Sequence, residues 1–370
     1  MTRRLSAVVL AAGEGARMRS TRPKPLHLLC GRAMVLYVLD ALPAPELDRA
    51  VVVVGHGAER VTKKLTEDSA GLGLEFVEQQ YQRGTGDAVA VGLTGLPDDD
   101  DDDDERDVLV VPGDTPLLRP RTVAGLVAEH RQSGAACTIL TARLDDPTGY
   151  GRIVRVGNDD KIARIVEQAD AAPDELEIDE VNTGIFCFRR NLLAPALRLV
   201  HPDNAQGEYY LTDVVEVLAD AGHRVVSVVA SDPSETRGVN DRAQLAAAEA
   251  GLRERTNRAW LGRGVTMVDP AATYIDATVE LAADVTIFPG AILQGRTHIG
   301  QGVEIGPGCR LIDCRIGEHS RLEHTVGNLS EVGADCQVGP YAVLEQGSRL
   351  APGTRTGPFY TAATAAGLDD

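Results

Sequence analysis

The sequence predicts an α/β domain built on a parallel sheet, followed by a β-helix of hexapeptide repeats. Three observations carry that reading. Before residue 240, short apolar runs alternate with helix-like stretches, the pattern of strands joined by crossover helices. Between 281 and 350, apolar residues return about every six positions, a period that neither a helix nor an alternating strand has. Between the two, 241–261 is rich in Ala, Leu, Arg and Glu and reads as one helix bridging two domains. The chain therefore divides into residues 1–240, a linker helix 241–262, a repeat domain 263–360 and a tail 361–370.

Each element follows from local chemistry. The candidate strands are 7–12, 50–56, 74–80, 107–114, 136–144, 182–190 and 224–230, and the candidate helices are 34–42, 58–67, 86–93, 120–132, 191–199 and 210–221. In such sheets ligands bind beyond the carboxyl ends of the strands. The loop after Leu10 and the turn Pro112-Gly113-Asp114 both lie there. In the stretch "VVLAAGEGARMRSTRPKPL", residues 8–26, the strand Val8-Val9-Leu10 is released by Gly13 and Gly15 and followed at once by Arg17 and Lys24. Freed main-chain amides beside two cations suit a polyphosphate. An ordinary strand-to-loop turn with surface basic residues has the same composition.

In the repeat region Leu281, Ile287, Leu293, Ile299, Ile305 and Leu311 fall six apart. The pattern slips by one at Ile316, resumes at Leu322, and runs on through Val332, Val338, Leu344 and Leu350. One apolar residue at each inward corner, with small or acidic residues after it, marks a β-helix whose coils bury one another, here about four of them. Val326 and Leu329 fall where the register breaks. They are expected to project from a loop or irregular coil, either as an intersubunit contact or as a local core plug.

Composition sets the limits. The chain has 370 residues and a net charge of −18, enough for two or three domains with full cores. A surface of that sign repels nucleic acid and anionic membranes, so a phosphate ligand has to be held by a local cationic site or through a metal. Part of the charge is a run of seven Asp at 98–104. It reads as a solvated stretch rather than a cation sink, because adjacent like charges repel. The apolar segment after Arg3 and Arg4 breaks at Gly13, so no signal peptide or membrane span is expected and the expected location is the cytoplasm. The six cysteines, Cys30, Cys137, Cys187, Cys309, Cys314 and Cys336, form no C-x-x-C pair and read as reduced, mostly buried thiols.

Several stretches together resemble one family. "LAAGEGARM" with Lys24 is similar to the signature L-A-A-G-x-G-T-R-M followed by P-K of sugar-phosphate nucleotidyltransferases. "EQQYQRGTGDAVA", "VPGDTPLL", "DPTGYGRIV", "IVEQADA", "EVNTGIF", "DNAQGEYYLTDVV" and "GVNDR" narrow it. With the hexapeptide solenoid, they resemble the bifunctional N-acetylglucosamine-1-phosphate uridylyltransferase/glucosamine-1-phosphate acetyltransferase family over nearly the whole chain. That resemblance implies a Rossmann-like nucleotidyltransferase domain, a long helix and a left-handed parallel β-helix.

It also implies roles. Leu10, Ala11, Ala12 and Gly13 match the loop whose backbone receives the nucleotide, and Arg17 and Lys24 match the triphosphate-binding cations that stabilise a departing pyrophosphate. Gln79, Gly84 and Thr85 match the uracil-side contacts, a Gln amide offering both donor and acceptor. Without the "GTG" beside them, Gln79 and Gln82 read as a polar strand end. Gly113 and Asp114 match the turn whose carboxylate seats magnesium, and Asn240 matches the second metal ligand. A turn-capping Asp and a helix N-cap Asn are the plainer readings of those two residues. Gly151, Glu167 and Asn182 match the hexosamine-binding positions, although Glu167 taken alone reads as a surface acid. The implied reaction joins UTP and an N-acetylhexosamine 1-phosphate, with Mg2+ as cofactor and no protein nucleophile. The implied assembly is a homotrimer packed through residues 265–360.

The departures are specific. Glu14 stands where the family often has Lys, Ala16 where it has Thr, Asp87 where it often has His, Pro112 in place of an aromatic and Ala169 in place of Lys. These changes remove positive charge and add negative charge, so they bear on rate and sugar choice rather than on reaction class. Glu345 and Gln346 replace the Arg and Pro of the acetyltransferase turn, and the Lys, His and "NYDG" that belong with it are not found. His319 and His324 lie too early to substitute and read as solvent-facing residues on a coil. Acetyl transfer is therefore expected to be absent. The alternatives are a nucleotidyltransferase for another hexose phosphate or base, and a non-catalytic scaffold built on the solenoid. A scaffold predicts decay of the site, yet Arg17, Lys24, Asp114 and Asn240 are all present.

Overall fold

The computed structural model describes residues 3–69, 73–97, 106–156 and 161–362. The acidic run 98–104 lies outside these residues, as does the expected tail beyond its first strand, Thr361–Ala362. The chain forms two compact units, Met1–His27 with Ala33–Leu245, and Leu28–Arg32 with Ala246–Asp370. Among the described residues no helix is long and apolar enough to cross a membrane. All six cysteines are free and buried.

The first unit is built on a nine-stranded sheet. Its strands are β1 (Arg4–Ala11), β2 (Leu47–Val54), β3 (Leu74–Glu78), β4 (Arg106–Pro112), β5 (Cys137–Arg143), β6 (Arg152–Arg155), β7 (Ile162–Val166), β8 (Glu180–Arg189) and β9 (Val225–Val229). The main path runs β9-β5-β8-β4-β1-β2-β3, with β6 attached to β8 and β7 to β6. The pairs among β4, β1, β2 and β3 are parallel, as alternating strands and helices demand. One strand corrects the parallel expectation: β8 runs antiparallel to both β4 and β5. A lone apolar strand carries no signal of its direction, so the sequence could not report this. The short hairpin β6–β7 was legible only as the motifs "GYGRIV" and "IVEQADA", because two four- or five-residue strands rich in Arg lack an apolar run.

The continuous apolar runs follow from burial on both faces. Val9 and Val52 lie in one core with Val35, Val61 and Leu126 of the helices Met34–Asp40 (α1), Ala58–Asp68 (α2) and Pro120–Ser133 (α4). Val8, Val51 and Val53 lie in the other, with Val89, Leu193 and Val214 of Thr85–Leu93 (α3), Arg190–Leu197 (α5) and Asp213–Asp220 (α6). Gly92 lets α3 approach the sheet closely, since a Cβ there would sit 2.5 Å from Val8 Cγ1. The carboxyl ends of β1, β2, β3 and β4 then face the loops that carry the candidate site.

In the second unit the last strands form three parallel sheets of five, six and five two- or three-residue strands. This is a left-handed β-helix of hexapeptide repeats. Apart from the strand that holds Gly327, each strand sends one side chain inward, and Ile287, Leu293, Ile299, Ile305 and Leu311 are fully buried. Among the described residues there are five complete coils, one more than the periodicity suggests, because the first coil uses Met267, Ile275 and Leu281 with a longer first side. The register break also has a physical cause. Gly327 takes the inward position between Leu311 and Leu344 on neighbouring strands. A Cβ on it would meet Ser330 Oγ at 3.0 Å and Cys314 Sγ and Leu311 Cδ2 at 3.2 Å. Val326 therefore does not project from an irregular coil. It sits on a regular strand paired with Arg310 and Val343, facing outward, and neither it nor Leu329 plugs the core. His319 is exposed at a left-handed corner, and His324 stacks on Tyr341 with 5.1 Å between ring centroids.

Restoring the apolar repeat at this corner is expected to harm the fold. Gly327→Val should destabilise the solenoid by about 1–3 kcal/mol through overpacking, read as a lower denaturation midpoint by circular dichroism. An unchanged or raised midpoint would show that the corner has room for a side chain.

Candidate functional site

The site starts where β1 ends. Leu10 accepts a hydrogen bond from the Gly113 amide (2.8 Å), which ties the end of β1 to the turn after β4. Ala11 and Ala12 are buried, while Gly13 is exposed, with open space where a Cβ would stand. Gly15 is left-handed (φ 66°), and a Cβ on it would lie 2.8 Å from Lys24 Cβ, so glycine is what lets Lys24 lie against the loop. Arg17 sits exposed in the turn Ala16–Met18, which Arg242 holds by donating to the Met18 carbonyl (3.1 Å). Arg17 has no hydrogen bond or ion pair to any described residue and is available to an anion.

Lys24, Asp114 and Asn240 come together from three parts of the chain. The Lys24 ammonium makes a short ion pair with Asp114 Oδ2 and donates to Asn240 Oδ1 at 2.8 Å. The Val239 amide donates to the Asp114 carbonyl (2.8 Å), so backbone as well as side chains fix this meeting. Asn240 is not the cap of the following helix, Arg242–Leu261 (α7). Asp241 Oδ1 accepts from the Gln244 amide (2.8 Å), and Gln244 Oε1 accepts from the Asn240 amide (2.6 Å). That exchange resembles a capping box and frees the Asn240 carboxamide for Lys24. Among the described residues no group of three or more His, Cys, Asp or Glu is placed to hold a metal ion. A carboxylate and a carboxamide oxygen side by side nevertheless fit magnesium, which is commonly held by one or two protein oxygens and completed by phosphates and water.

On the second side of the site lie Gln79, Gly84 and Thr85. Gln79 follows β3 and is 4 % exposed. Its Nε2 donates to Asp87 Oδ2 (2.8 Å) and to the Gly84 carbonyl (3.3 Å). Thr85 Oγ1 accepts from the Leu211 amide (3.0 Å), and the Gly86 amide donates to the Tyr209 carbonyl (2.7 Å). The "GTG" loop is thus zipped to "EYYLTD". Gly84 has φ 113°, and a Cβ there would fall 2.5 Å from the Tyr209 carbonyl oxygen. Gln82 donates weakly to the Ala12 carbonyl (3.4 Å), linking this loop to the first.

The third group is Gly151, Glu167 and Asn182. The Asn182 amide donates to the Gly151 carbonyl (2.9 Å), and a Cβ on Gly151 would lie 3.3 Å from Glu167 Oε2. Asn182 Oδ1 accepts from the Gly184 amide (3.0 Å) within the irregularity of β8. Gly184 in turn faces Pro112, whose Cγ would lie 3.0 Å from a Cβ there. Glu167 is not a surface acid. Burial raises its pKa, the hydrogen bond from Thr212 (3.1 Å) opposes the rise, and the charge of Asp170 adds to it. Burial, then Glu216, Glu167 and Asp170, push Asp213 up to about 6. Reading the sequence missed Thr212 and Tyr150. Tyr150 has its pKa raised by burial and by Asp114, against Arg237 and the Gly238 amide. The signal for both residues was their place inside the quoted motifs "TGYGR" and "YYLTD".

Residues 7–169 match the model of the MobA-like NTP transferase domain. Over 354 residues the chain is 46% identical to the bifunctional protein GlmU of Streptomyces avermitilis, covering 96% of this chain and 72% of that protein. It is 46% identical to the bifunctional protein GlmU of Streptomyces coelicolor over 357 residues, 96% of this chain and 73% of that one. For the bifunctional protein GlmU of Heliobacterium modesticaldum the identity is 43% over 356 residues, 96% and 75% of the two chains. With a nucleotidyltransferase sheet and a hexapeptide β-helix in the same order, the chain belongs to the GlmU family and is a nucleotidyltransferase enzyme.

Proposed function

We propose that the chain transfers uridylyl from UTP to N-acetylglucosamine 1-phosphate, forming UDP-N-acetylglucosamine and pyrophosphate. The observation that carries this reading is the meeting of Lys24, Asp114 and Asn240 beside the open Gly13 loop, with Gly151, Glu167 and Asn182 gathered nearby. A phosphate oxygen of the sugar phosphate attacks the α-phosphorus of UTP. The bond from that phosphorus to the bridging oxygen breaks, and pyrophosphate leaves with the electron pair. A phosphate dianion needs no base, so catalysis reduces to alignment and charge neutralisation. Lys24 and the exposed Arg17 would meet the charge that builds on pyrophosphate. Asp114 and Asn240 would hold magnesium, which would supply charge neutralisation for the reacting phosphates. Glu167, Asn182 and the Gly151 backbone would bind the sugar hydroxyls and the acetamido group. The acidic surroundings of Glu167 favour one second reading, another hexosamine 1-phosphate as acceptor, which a panel of sugar phosphates would distinguish. We assign no acetyl transfer to the solenoid, where Glu345 and Gln346 stand in the turn that resembles the acetyltransferase one.

We also propose that the solenoid assembles the chain as a homotrimer. The outward residues of its three sheets support this. One sheet presents Glu280, His298, Arg315, Glu331 and Arg349, another Thr266, Thr286, Glu304, Arg321 and Gln337. Charges on both pair between coils, as in Arg321–Glu304 (2.6 Å) and Arg349–Glu331 (3.2 Å). The third presents Tyr274, Ile292, Arg310, Val326, Val343 and Thr361, of which Tyr274, Val326 and Val343 are more than 40 % exposed. Three exposed apolar side chains on one face of such a prism are a surface to be covered.

Two outcomes follow. Asp114→Ala should lower magnesium-dependent pyrophosphate release by about a thousandfold or more while circular dichroism stays native; turnover near wild type would remove Asp114 from the site. Light scattering should give a trimer for the chain and a monomer for the double variant Val326→Asp, Val343→Asp, and a monomeric unmodified chain would overturn the assembly.

A further inference from the structure

Asp87 stands where the family often has His, and its surroundings give it a task of its own. It lies on the first turn of α3 with its side chain 11 % exposed, eight positions after Gln79. One carboxylate oxygen, Oδ1, takes a hydrogen bond from Arg83 Nη2 at 2.6 Å; the other, Oδ2, takes one from Gln79 Nε2 at 2.8 Å. The same Nε2 reaches the Gly84 carbonyl at 3.3 Å. Both neighbours of that nitrogen can only accept, since an ionised carboxylate and a backbone carbonyl have no proton to give. The direction of the Gln79 amide is therefore forced by chemistry and does not depend on how its oxygen and nitrogen are told apart. Its two N–H donors are used within the protein. Among the described residues none donates to Oε1, so the carbonyl oxygen is the part of this buried amide left for a ligand.

We infer that Asp87 is a positioning residue that sets base choice: by holding the Gln79 amide group it leaves an acceptor alone to face the nucleobase. An acceptor pairs with the N3–H of uracil. Against cytosine it meets the lone pair of an unprotonated N3, so cytosine is disfavoured. Arg83 pairs with Asp87 from its exposed side. A residue at position 87 that could donate would let the amide turn over and offer its NH2 group to the base instead. This inference rests on the uridylyl-transfer reading.

The test compares kcat/KM for UTP and CTP, with N-acetylglucosamine 1-phosphate as acceptor, in the wild type, Asp87→Asn and Arg83→Gln. Asn has the shape of Asp and can either accept or donate. The preference for UTP over CTP should fall at least tenfold in Asp87→Asn, with KM for CTP decreasing. In Arg83→Gln, where the acceptor-only carboxylate is kept, the preference should stay within about twofold. An Asp87→Asn enzyme that loses activity equally with both nucleotides, or keeps its full preference, overturns the inference, because either result makes Asp87 merely structural or idle. A collapse of the preference in Arg83→Gln but not in Asp87→Asn overturns it too. A wild type that uses CTP as well as UTP overturns the uridylyl reading itself, and this inference with it. Thermal melting of each variant, expected within a few degrees of wild type, separates loss of choice from loss of fold.

Discussion

The Lys24 ammonium, held between the Asp114 carboxylate and the Asn240 carboxamide, joins chain segments 90 and 216 residues apart. A carboxylate half withdrawn from water needs a cation, and in this fold the cation arrives from the loop after β1. Around that contact the backbone closes a ring. Gly113 bonds to Leu10, Val239 bonds to Asp114, and Asp241 takes the cap of α7 so that Asn240 can turn inward. The parallel pairing of β4 and β1 places Leu10 opposite Pro112, so the two loops leave the sheet side by side. Charge and backbone geometry therefore select the same arrangement, and the proposed phosphate chemistry uses the groups that this arrangement brings together.

The two halves of the chain spend their apolar residues differently. The sheet buries continuous runs such as Val51-Val52-Val53 on both faces, which leaves its loops free to diversify. The solenoid buries one side chain per corner, so every rung depends on the rungs above and below it. The contrast explains where function sits. Loops at the carboxyl ends of strands carry the candidate site, while the repeat presents flat faces whose character is decided by the residue just before each inward one. Two of those faces carry charges paired between coils, and the third exposes Tyr274, Val326 and Val343 beside Arg310.

Much of this was legible in the residues. The apolar runs gave the central strands, the six-residue period gave the β-helix, and "LAAGEGARM" with Lys24 marked the loop at the end of β1. What escaped lay in tertiary relations that a linear pattern does not encode. The antiparallel direction of β8 depends on its neighbours β4 and β5, not on its own composition. Gly327 hid one corner of a coil because its inward position holds no side chain. Asn240 read equally as a helix cap until the neighbouring Asp241 was seen to take that role. Gln79 looked like a free amide with both a donor and an acceptor to offer, although two acceptors beside it already consume its N–H groups. Glu167 looked like a surface acid because nothing local shows the burial that raises its pKa.

We propose that Asp114 and Asn240 act as one oxygen site that Lys24 neutralises until phosphates arrive. Crystals grown with manganese and a non-hydrolysable UTP analogue test this directly, through the anomalous signal of the metal. The expected result is a peak within bonding distance of the Asp114 carboxylate and Asn240 Oδ1, with Lys24 turned away from both and onto a phosphate oxygen. A metal bound elsewhere along the triphosphate, with Lys24 still bridging Asp114 and Asn240, would contradict it.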